Sequence, residues 1–278
     1  MIVKNLKNLL FSSHNFLNFR ALCKAVKTLI RSSFLNQGKI SLCTSRIYVQ
    51  DSVYDNFLQQ FIRETQNLKV GDPNDPEVFM GALNSKIHLE KVIRYLCYKN
   101  HSDTLIFLYT IGRKIQKSLL CIYYFTFRYA KLAKEEGGTI NCGYGANGSS
   151  LNLPSHLQNG YFFPPTIVTN LPKGARCLRE EVFGPFVCIS KFSTELEAIE
   201  LANDVEYGLC ASVWSENVGT IHRVSHELEV GTVWNNCWLI RSLHMPFGGC
   251  KQSGIGREGI THSLETYTNE KSVCIKIK

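Results

Sequence analysis

Between Phe186 and Asn236 the chain alternates between two hydrophobic periods, and this constrains the fold more than any other stretch. FVCISKF, residues 186–192, is an apolar run of strand length. Thr194 and Glu197 form a capping box ahead of Leu196, Ile199 and Ala202, which fall at helical spacing. Cys210 to Trp214 predicts a second strand. Val218, Ile221, Val224 and Leu228 stripe a second helix that stops at Gly231, and Thr232 to Asn236 predicts a third strand. Strand, helix, strand, helix, strand with short links requires right-handed crossovers and a parallel sheet, hence an α/β fold. In open sheets of this kind functional groups are expected at the carboxyl ends of the strands, where Asn235 to Arg241 lie.

The upstream half carries similar signals. Ala25 to Phe34 predicts a short helix feeding a polar loop, Phe34 to Arg46, and then a strand at Arg46 to Gln50. Tyr54, Phe57, Leu58, Phe61 and Leu68 fall at helical spacing, with Ser52 placed to cap, until Gly71, Asp72, Pro73 and Pro76 break the pattern. A further helix starts at Ser85 to Tyr95, but residues 96–129 do not continue its stripe. Joining Tyr95 to Ala130 restores that stripe through Ala133 and ends it at Gly137. The Arg-Tyr pair at 94–95 recurs at 128–129, so either junction restores the helix. A retained intron or mispredicted exon accounts for the insertion, and a genuine inserted hairpin is the alternative. Thr139 to Cys142 predicts a strand, and alternating Val273, Ile275 and Ile277 predict a half-buried one at Ser272 to Lys278.

Several function classes fall away. The net charge of +8 suggests a nucleic-acid footprint until it is located: residues 1–40 carry +7, residues 96–129 carry +4, and the rest is −3. No nucleic acid is therefore expected as a partner. The apolar runs Leu105 to Ile111 and Leu119 to Phe127 are far short of the ~20 residues of a membrane span. Eleven scattered cysteines without a C-x-x-C pair signal neither zinc ribbon nor disulfide framework. Reduced thiols suit a cytoplasmic or organellar protein. Residues 1–22 are basic, acid-free and rich in Asn and Phe, and read as a leader outside the fold. A mitochondrial presequence is one form of it, although Arg20 is its single arginine. Gly143 to Gly148 and Gly254 to Gly259 both match G-x-G-x-x-G; the first lacks a periodic helix after it and the second a buried strand before it, so neither is a dinucleotide fingerprint. His222 and His226 share a helix face at i, i+4, but no third ligand accompanies them, so no metal is expected.

Three motifs resemble the aldehyde dehydrogenase superfamily. In FLNQGKISLCTSR, Asn36, Gln37 and Gly38 match its nucleophile loop, but Ser41 stands where the reactive cysteine is expected, and the nearest thiol is Cys43. REEVFGPF, Arg179 to Phe186, resembles the cofactor segment. The resemblance implies that Glu181 accepts hydrogen bonds from the nicotinamide ribose of NAD, and that Phe183 lies against the nicotinamide. GTVWNNCWLIRSLHMPFGGCKQSGIGREG, Gly231 to Gly259, is the longest match, and its NCWLIRSL is similar to the branch that acts on 2-aminomuconic-type semialdehydes. There the resemblance makes Arg241 the ligand of the substrate's carboxylate and Phe247 a wall of the aldehyde tunnel.

The resemblance covers about Cys23 to Lys278 without the insertion. It implies a catalytic domain at 23–259, interrupted by 96–129, and a C-terminal helix and oligomerisation arm at 260–278. The family's cofactor domain, general-base glutamate and oxyanion-stabilising asparagine belong upstream of the first matching residue and are expected to be missing from this chain. Family chemistry needs thiolate attack on the aldehyde, hydride transfer to NAD and base-assisted hydrolysis. A thiol ionises near about 8.5 and can be pulled lower, whereas a serine hydroxyl needs an adjacent base. The expectation is a family member by descent, inactive as this chain. The alternative is a non-catalytic module that joins full-length aldehyde dehydrogenase subunits through residues 272–278.

Overall fold

The computed structural model describes residues 7–11, 19–84, 129, 132–143, 146 and 151–277. The helix expected at Ser85 to Tyr95, nearly all of the 96–129 insertion and most of the 143–148 glycine run lie outside the described residues.

Seven strands form one sheet: β1 (Lys7–Phe11), β2 (Arg46–Gln50), β3 (Thr139–Cys142), β4 (Thr166–Thr169), β5 (Phe186–Phe192), β7 (Cys210–Trp214) and β8 (Thr232–Asn235). Their order is β3-β4-β5-β2-β1-β7-β8. Every ladder is parallel except β3 with β4. A small antiparallel pair, β6 (Tyr207–Gly208) and β9 (Cys250–Lys251), stands apart.

Alternate side chains of these strands supply two different cores, as period two requires. On one face Ile47, Val49, Ile167, Val187 and Ile189 meet α1 (Phe19–Phe34) and α2 (Asp51–Gln66) through Leu22, Val26, Leu29, Phe34, Phe57 and Phe61. On the other, Tyr48, Phe192, Ala211 and Val213 pack with Ala198 and Ala202 of α4 (Glu195–Asn203) and Val224 of α5 (Val218–Glu227). Farther along that face, Val168, Phe186 and Cys188 bury Tyr129, Ala133 and the short α3 (Arg176–Arg179). A parallel sheet covered on both faces satisfies the strand-helix alternation of the sequence.

Local signals fared unevenly. Thr194 caps α4 by accepting from the Glu197 amide at 3.2 Å, and Glu197 reaches back to the Ser193 amide at 2.9 Å, one residue earlier than a standard box. Ser52 does not cap: α2 begins at Asp51, whose carboxylate already occupies the positive end of the helix. Gly137, at φ 85, ends the helical residues 132–135. Its amide bonds the Lys134 carbonyl at 3.0 Å, and the Gly138 amide bonds the Ala133 carbonyl at 2.6 Å, the paired bonds of a Schellman terminus.

Three expectations need correction. Residues 1–22 do not stand wholly outside the fold: Lys7–Phe11 pairs with both β2 and β7, and α1 already starts at Phe19. KNLLF is too short and too interrupted to announce a strand; its neighbours define it. Tyr129, assigned by sequence to the insertion, is 5% exposed and its ring lies 6.2 Å from that of Phe186, so it belongs to the core. Residues 272–277 form no strand, and Val273, Ile275 and Ile277 are exposed at 72%, 78% and 89%. An alternating segment becomes a strand only where a sheet edge receives it, and none among the described residues does.

Phe57 is fully buried and stacks on Phe61 at 5.5 Å between ring centroids. Phe57→Ala is expected to lower the free energy of unfolding by about 3–5 kcal/mol in a urea titration. Val218→Ala, on the stripe but 65% exposed, should change it by no more than about 0.5 kcal/mol.

Candidate active site

The polar loop after α1 is held in an unusual backbone. Asn36, Gln37 and Gly38 take φ values of 52, 54 and 65°, the left-handed region that side chains disfavour. The reason is packing. A Cβ on Gly38 would lie 2.2 Å from the Gly184 carbonyl oxygen and 3.1 Å from the Pro185 nitrogen. Only glycine lets this loop close against the Gly184-Pro185 turn.

Beyond Gly38 the chain folds into a turn in which the Cys43 amide donates to the Ile40 carbonyl at 2.8 Å. Ser41 is a central residue of that turn and half-buried. The turn is fastened from behind: the Thr44 amide donates to the Ser32 carbonyl at 2.9 Å, and the two hydroxyls of Ser32 and Thr44 are 2.9 Å apart. Residues 41 and 43 therefore do not share one face of an extended strand. Cys43 is 7% exposed, and its thiol donates to the Leu35 carbonyl at 3.4 Å, which ties the sulfur to the end of α1.

The second motif places its two adjacent glutamates in different surroundings. Glu180 is taken: Arg176 donates to its two oxygens at 2.7 and 3.2 Å, and the Tyr129 hydroxyl donates at 3.1 Å. Burial raises the Tyr129 phenol well above its ordinary range, with Glu180 adding to the shift. Arg179 grips Asp204 through both carboxylate oxygens, at 2.5 and 2.7 Å. With both ends of this segment tied, Glu181 and Phe183 line a cleft shared with Gly38, Ile40, Cys43, Thr44, Ser45, Gly184 and Phe186. The cleft is shallow: its enclosed volume is about 10 Å³, far below that of a pocket that encloses a drug-sized ligand. It is one wall of a site.

This cleft lies at the amino ends of β2 and β5, where the Cys188 amide bonds the Ser45 carbonyl at 3.0 Å. The expectation of functional groups at carboxyl ends is corrected here, because the loops that carry the motifs enter their strands instead of leaving them. Arg46, at the first position of β2, is fully buried and donates from Nη1 to the Leu178 carbonyl at 2.8 Å. Burial lowers its pKa, and its Nε and Nη2 find no hydrogen-bond partner among the described residues.

The third motif reaches the same loop from the other side. After β8, Asn236 at φ 54 turns the chain, and its side chain bonds the backbone of Ser215 at 3.0 and 2.9 Å. The Ser212 hydroxyl donates to the Cys237 carbonyl at 2.7 Å, and the Trp234 indole donates to the Ile240 carbonyl at 2.8 Å. The Trp238 indole donates to the carbonyl of Leu42 at 2.9 Å, directly beside Ser41. Leu42, Leu209, Cys210 and Trp234 form a cluster against which Ile40, Trp238 and Phe247 pack. Arg241 and Phe247 are brought together, with the guanidinium carbon 4.0 Å from the ring centroid, and Arg241 also pairs with Glu258 at 3.2 Å. Tyr129 and Trp238 were not singled out from sequence. The Trp in NNCW was available as a signal, because a partly buried indole seeks an acceptor.

The remaining sequence candidates stay apart from this site. No group of three metal-ligating side chains exists among the described residues. No described helix is long and apolar enough to cross a membrane. The described cysteines all carry free thiols. The helix α6 (Ile260–Tyr267) does open after Gly259, but the segment before those glycines is the two-residue β9 and not a strand of the main sheet.

The sequence model of the aldehyde dehydrogenase family matches residues 16–107 and 126–273, leaving a stretch unmatched that is narrower than the insertion expected at 96–129. The chain is 45% identical over 255 residues to 2-aminomuconic semialdehyde dehydrogenase of Bos taurus, covering 92% of this chain and 45% of the bovine protein. It is 39% identical over 254 residues to 2-hydroxymuconic semialdehyde dehydrogenase of Pseudomonas sp. strain CF600, covering 91% of this chain and 44% of that protein. Among solved structures, betaine aldehyde dehydrogenase of Staphylococcus aureus in complex with NAD+ superposes with a TM-score of 0.73 at 32% identity, over 96% of this chain and 44% of that one. The chain thus spans under half the length of these relatives, yet nearly all of it aligns with them. On its motifs, its fold and these matches, the chain belongs to the aldehyde dehydrogenase family.

Proposed function

We propose that this chain is the catalytic-domain portion of an NAD-dependent semialdehyde dehydrogenase in which Ser41 occupies the nucleophile position, and that as it stands it does not oxidise aldehyde. The observation that carries the reading is the turn at residues 40–43. Its residues Ile40 and Cys43 line the cleft with Glu181 and Phe183, its residues Ile40 and Leu42 belong to the cluster with Trp238 and Phe247, and Ser41 lies between them in sequence. The substrate class follows from the semialdehyde relatives together with Arg241, whose planar guanidinium suits a carboxylate. NAD, when bound, supplies the hydride acceptor. Glu181 and Phe183 are the residues assigned to its nicotinamide end, a reading supported by their both lining the cleft.

Ser41 is the obstacle to turnover. Among the described residues no histidine lines the cleft to take a hydroxyl proton, and the Cys43 thiol donates to the Leu35 carbonyl. Losing an essential nucleophile costs on the order of 10⁴–10⁶ in rate. Purified protein with NAD and 2-aminomuconic, short aliphatic or aromatic aldehydes is therefore expected to form no NADH. NADH formation that vanishes in Glu181→Ala protein would falsify this reading.

Thiol labelling supplies an independent check. At neutral pH the exposed Cys274 should alkylate ahead of Cys43, and Cys188, whose thiol burial pushes up to about 12, should stay unlabelled in the folded chain. Mass spectrometry showing Cys43 as the fastest-labelled thiol would favour an enzyme that uses Cys43 through a rearranged loop.

A second reading, compatible with the first, rests on the exposed apolar surface at the C-terminal end. Ile260, Leu264 and Tyr267 on α6 are exposed at 54%, 62% and 74%, and Val273, Ile275 and Ile277 follow. We infer a module that joins aldehyde dehydrogenase subunits, its own or full-length ones, through residues 272–278. The free thiols support a reducing compartment, the cytoplasm in the first instance. Co-purification with a full-length family member, lost when residues 272–278 are deleted, is the expected outcome. Recovery only as monomer or aggregate counts against it.

A further inference from the structure

The pair formed by Arg241 and Glu258 sits where a ligand's carboxylate would have to bind if Arg241 receives it. We infer that Glu258 is a resident carboxylate that occupies Arg241 in the empty chain and that an incoming ligand must displace it, so that Glu258 sets the selectivity of the site between anionic and neutral ligands. The inference rests on the reading of Arg241 as the ligand of a substrate carboxylate.

The geometry supports a held but weak contact. Glu258 reaches Arg241 through one oxygen and one guanidinium nitrogen, at 3.2 Å. Its backbone is fixed by two reciprocal bonds with Phe247, at 2.8 and 2.7 Å, so the acid cannot drift from the ring over which Arg241 lies. The neighbouring cation Arg257 is engaged elsewhere, donating to the carbonyls of Gly249 and Gly256 at 2.8 and 2.9 Å. Arg241 is anchored in turn, because the carbonyl before it accepts from Trp234. The side chains of Arg241 and Glu258 are 39% and 55% exposed, so water and solutes reach both.

An exposed pair that meets through a single bond is weak. A planar carboxylate arriving in the plane of the guanidinium can make two parallel bonds and outcompete it. Because Phe247 covers one face of the guanidinium, exchange of one carboxylate for another proceeds at its edge and leaves the stack in place. A neutral aldehyde offers nothing to exchange. Glu258 also cancels the charge of Arg241, so a lone anionic group in solution is not drawn to the empty site.

The isosteric change Glu258→Gln separates this role from an ordinary surface ion pair, which would contribute only to stability. Isothermal titration calorimetry on the full chain would use muconate, a six-carbon dicarboxylate, and hexanamide as a neutral probe of the same length. Glu258→Gln is expected to bind muconate about two- to fivefold tighter, the range set by the strength of an exposed ion pair, with hexanamide unchanged. Muconate affinity that is unchanged or weaker in Glu258→Gln, while Arg241→Gln abolishes binding, overturns the inference and leaves Arg241 as the carboxylate ligand. Native muconate affinity in Arg241→Gln, or no muconate binding by any variant, overturns both. Circular dichroism melts of each variant confirm that affinities are compared between folded chains.

Discussion

The candidate site depends on the absence of one methyl group. Gly38 lies so close to the Gly184 carbonyl that no side chain fits between them. That contact joins two segments far apart in sequence, one bearing Ser41 and the other bearing Glu181 and Phe183. The left-handed backbone at Asn36 and Gln37 is what it costs to deliver Gly38 there. The fastening from behind, by Ser32 with Thr44 and by Trp238 with Leu42, offsets that strain. The turn at residues 40–43 is consequently held on the cleft side, the helix side and the side facing Phe247.

With that scaffold in place, the chemistry of the turn is decided by atom type. Ser41 brings a hydroxyl to this turn, and a hydroxyl lacks the polarisable, ionisable character of a thiol sulfur. The Cys43 sulfur donates to the Leu35 carbonyl at the end of α1, while the residue also lines the cleft. Binding and chemistry are separable in such an arrangement. The contacts that place Glu181 and Phe183 along the cleft, and Arg241 over Phe247, do not involve the side chain of Ser41.

What the sequence revealed was what local forces decide. The run from β5 through α4, β7 and α5 to β8 was legible because each period and each cap is settled within a few residues, as the bond from the Glu197 amide to the Thr194 hydroxyl shows. The motifs named the candidate residues, but their surroundings were set by tertiary partners the sequence does not announce. Glu181 was separated from Glu180 by Tyr129, which lies far away in sequence and was counted as part of an insertion. Trp238 is defined by the Leu42 carbonyl that receives its N–H. The alternation at residues 272–278 was read correctly as a pattern, but a pattern needs an edge to become a strand. The rule placing function at carboxyl ends failed because the glycine contact brings together the loops that enter β2 and β5.

The central position of β1 has a consequence for how the sheet is assembled. Lys7–Phe11 bonds Arg46–Val49 on one side and Cys210–Trp214 on the other. The second ladder pairs opposite ends of the chain, so the entropy of closing a very long loop is spent before that contact gives anything back. Until residues 210–214 arrive, β2 and β1 expose an open edge, which is the form in which sheets attract the wrong chains. The border left open in a sheet that lacks residues 210–214 is therefore the centre of the finished one.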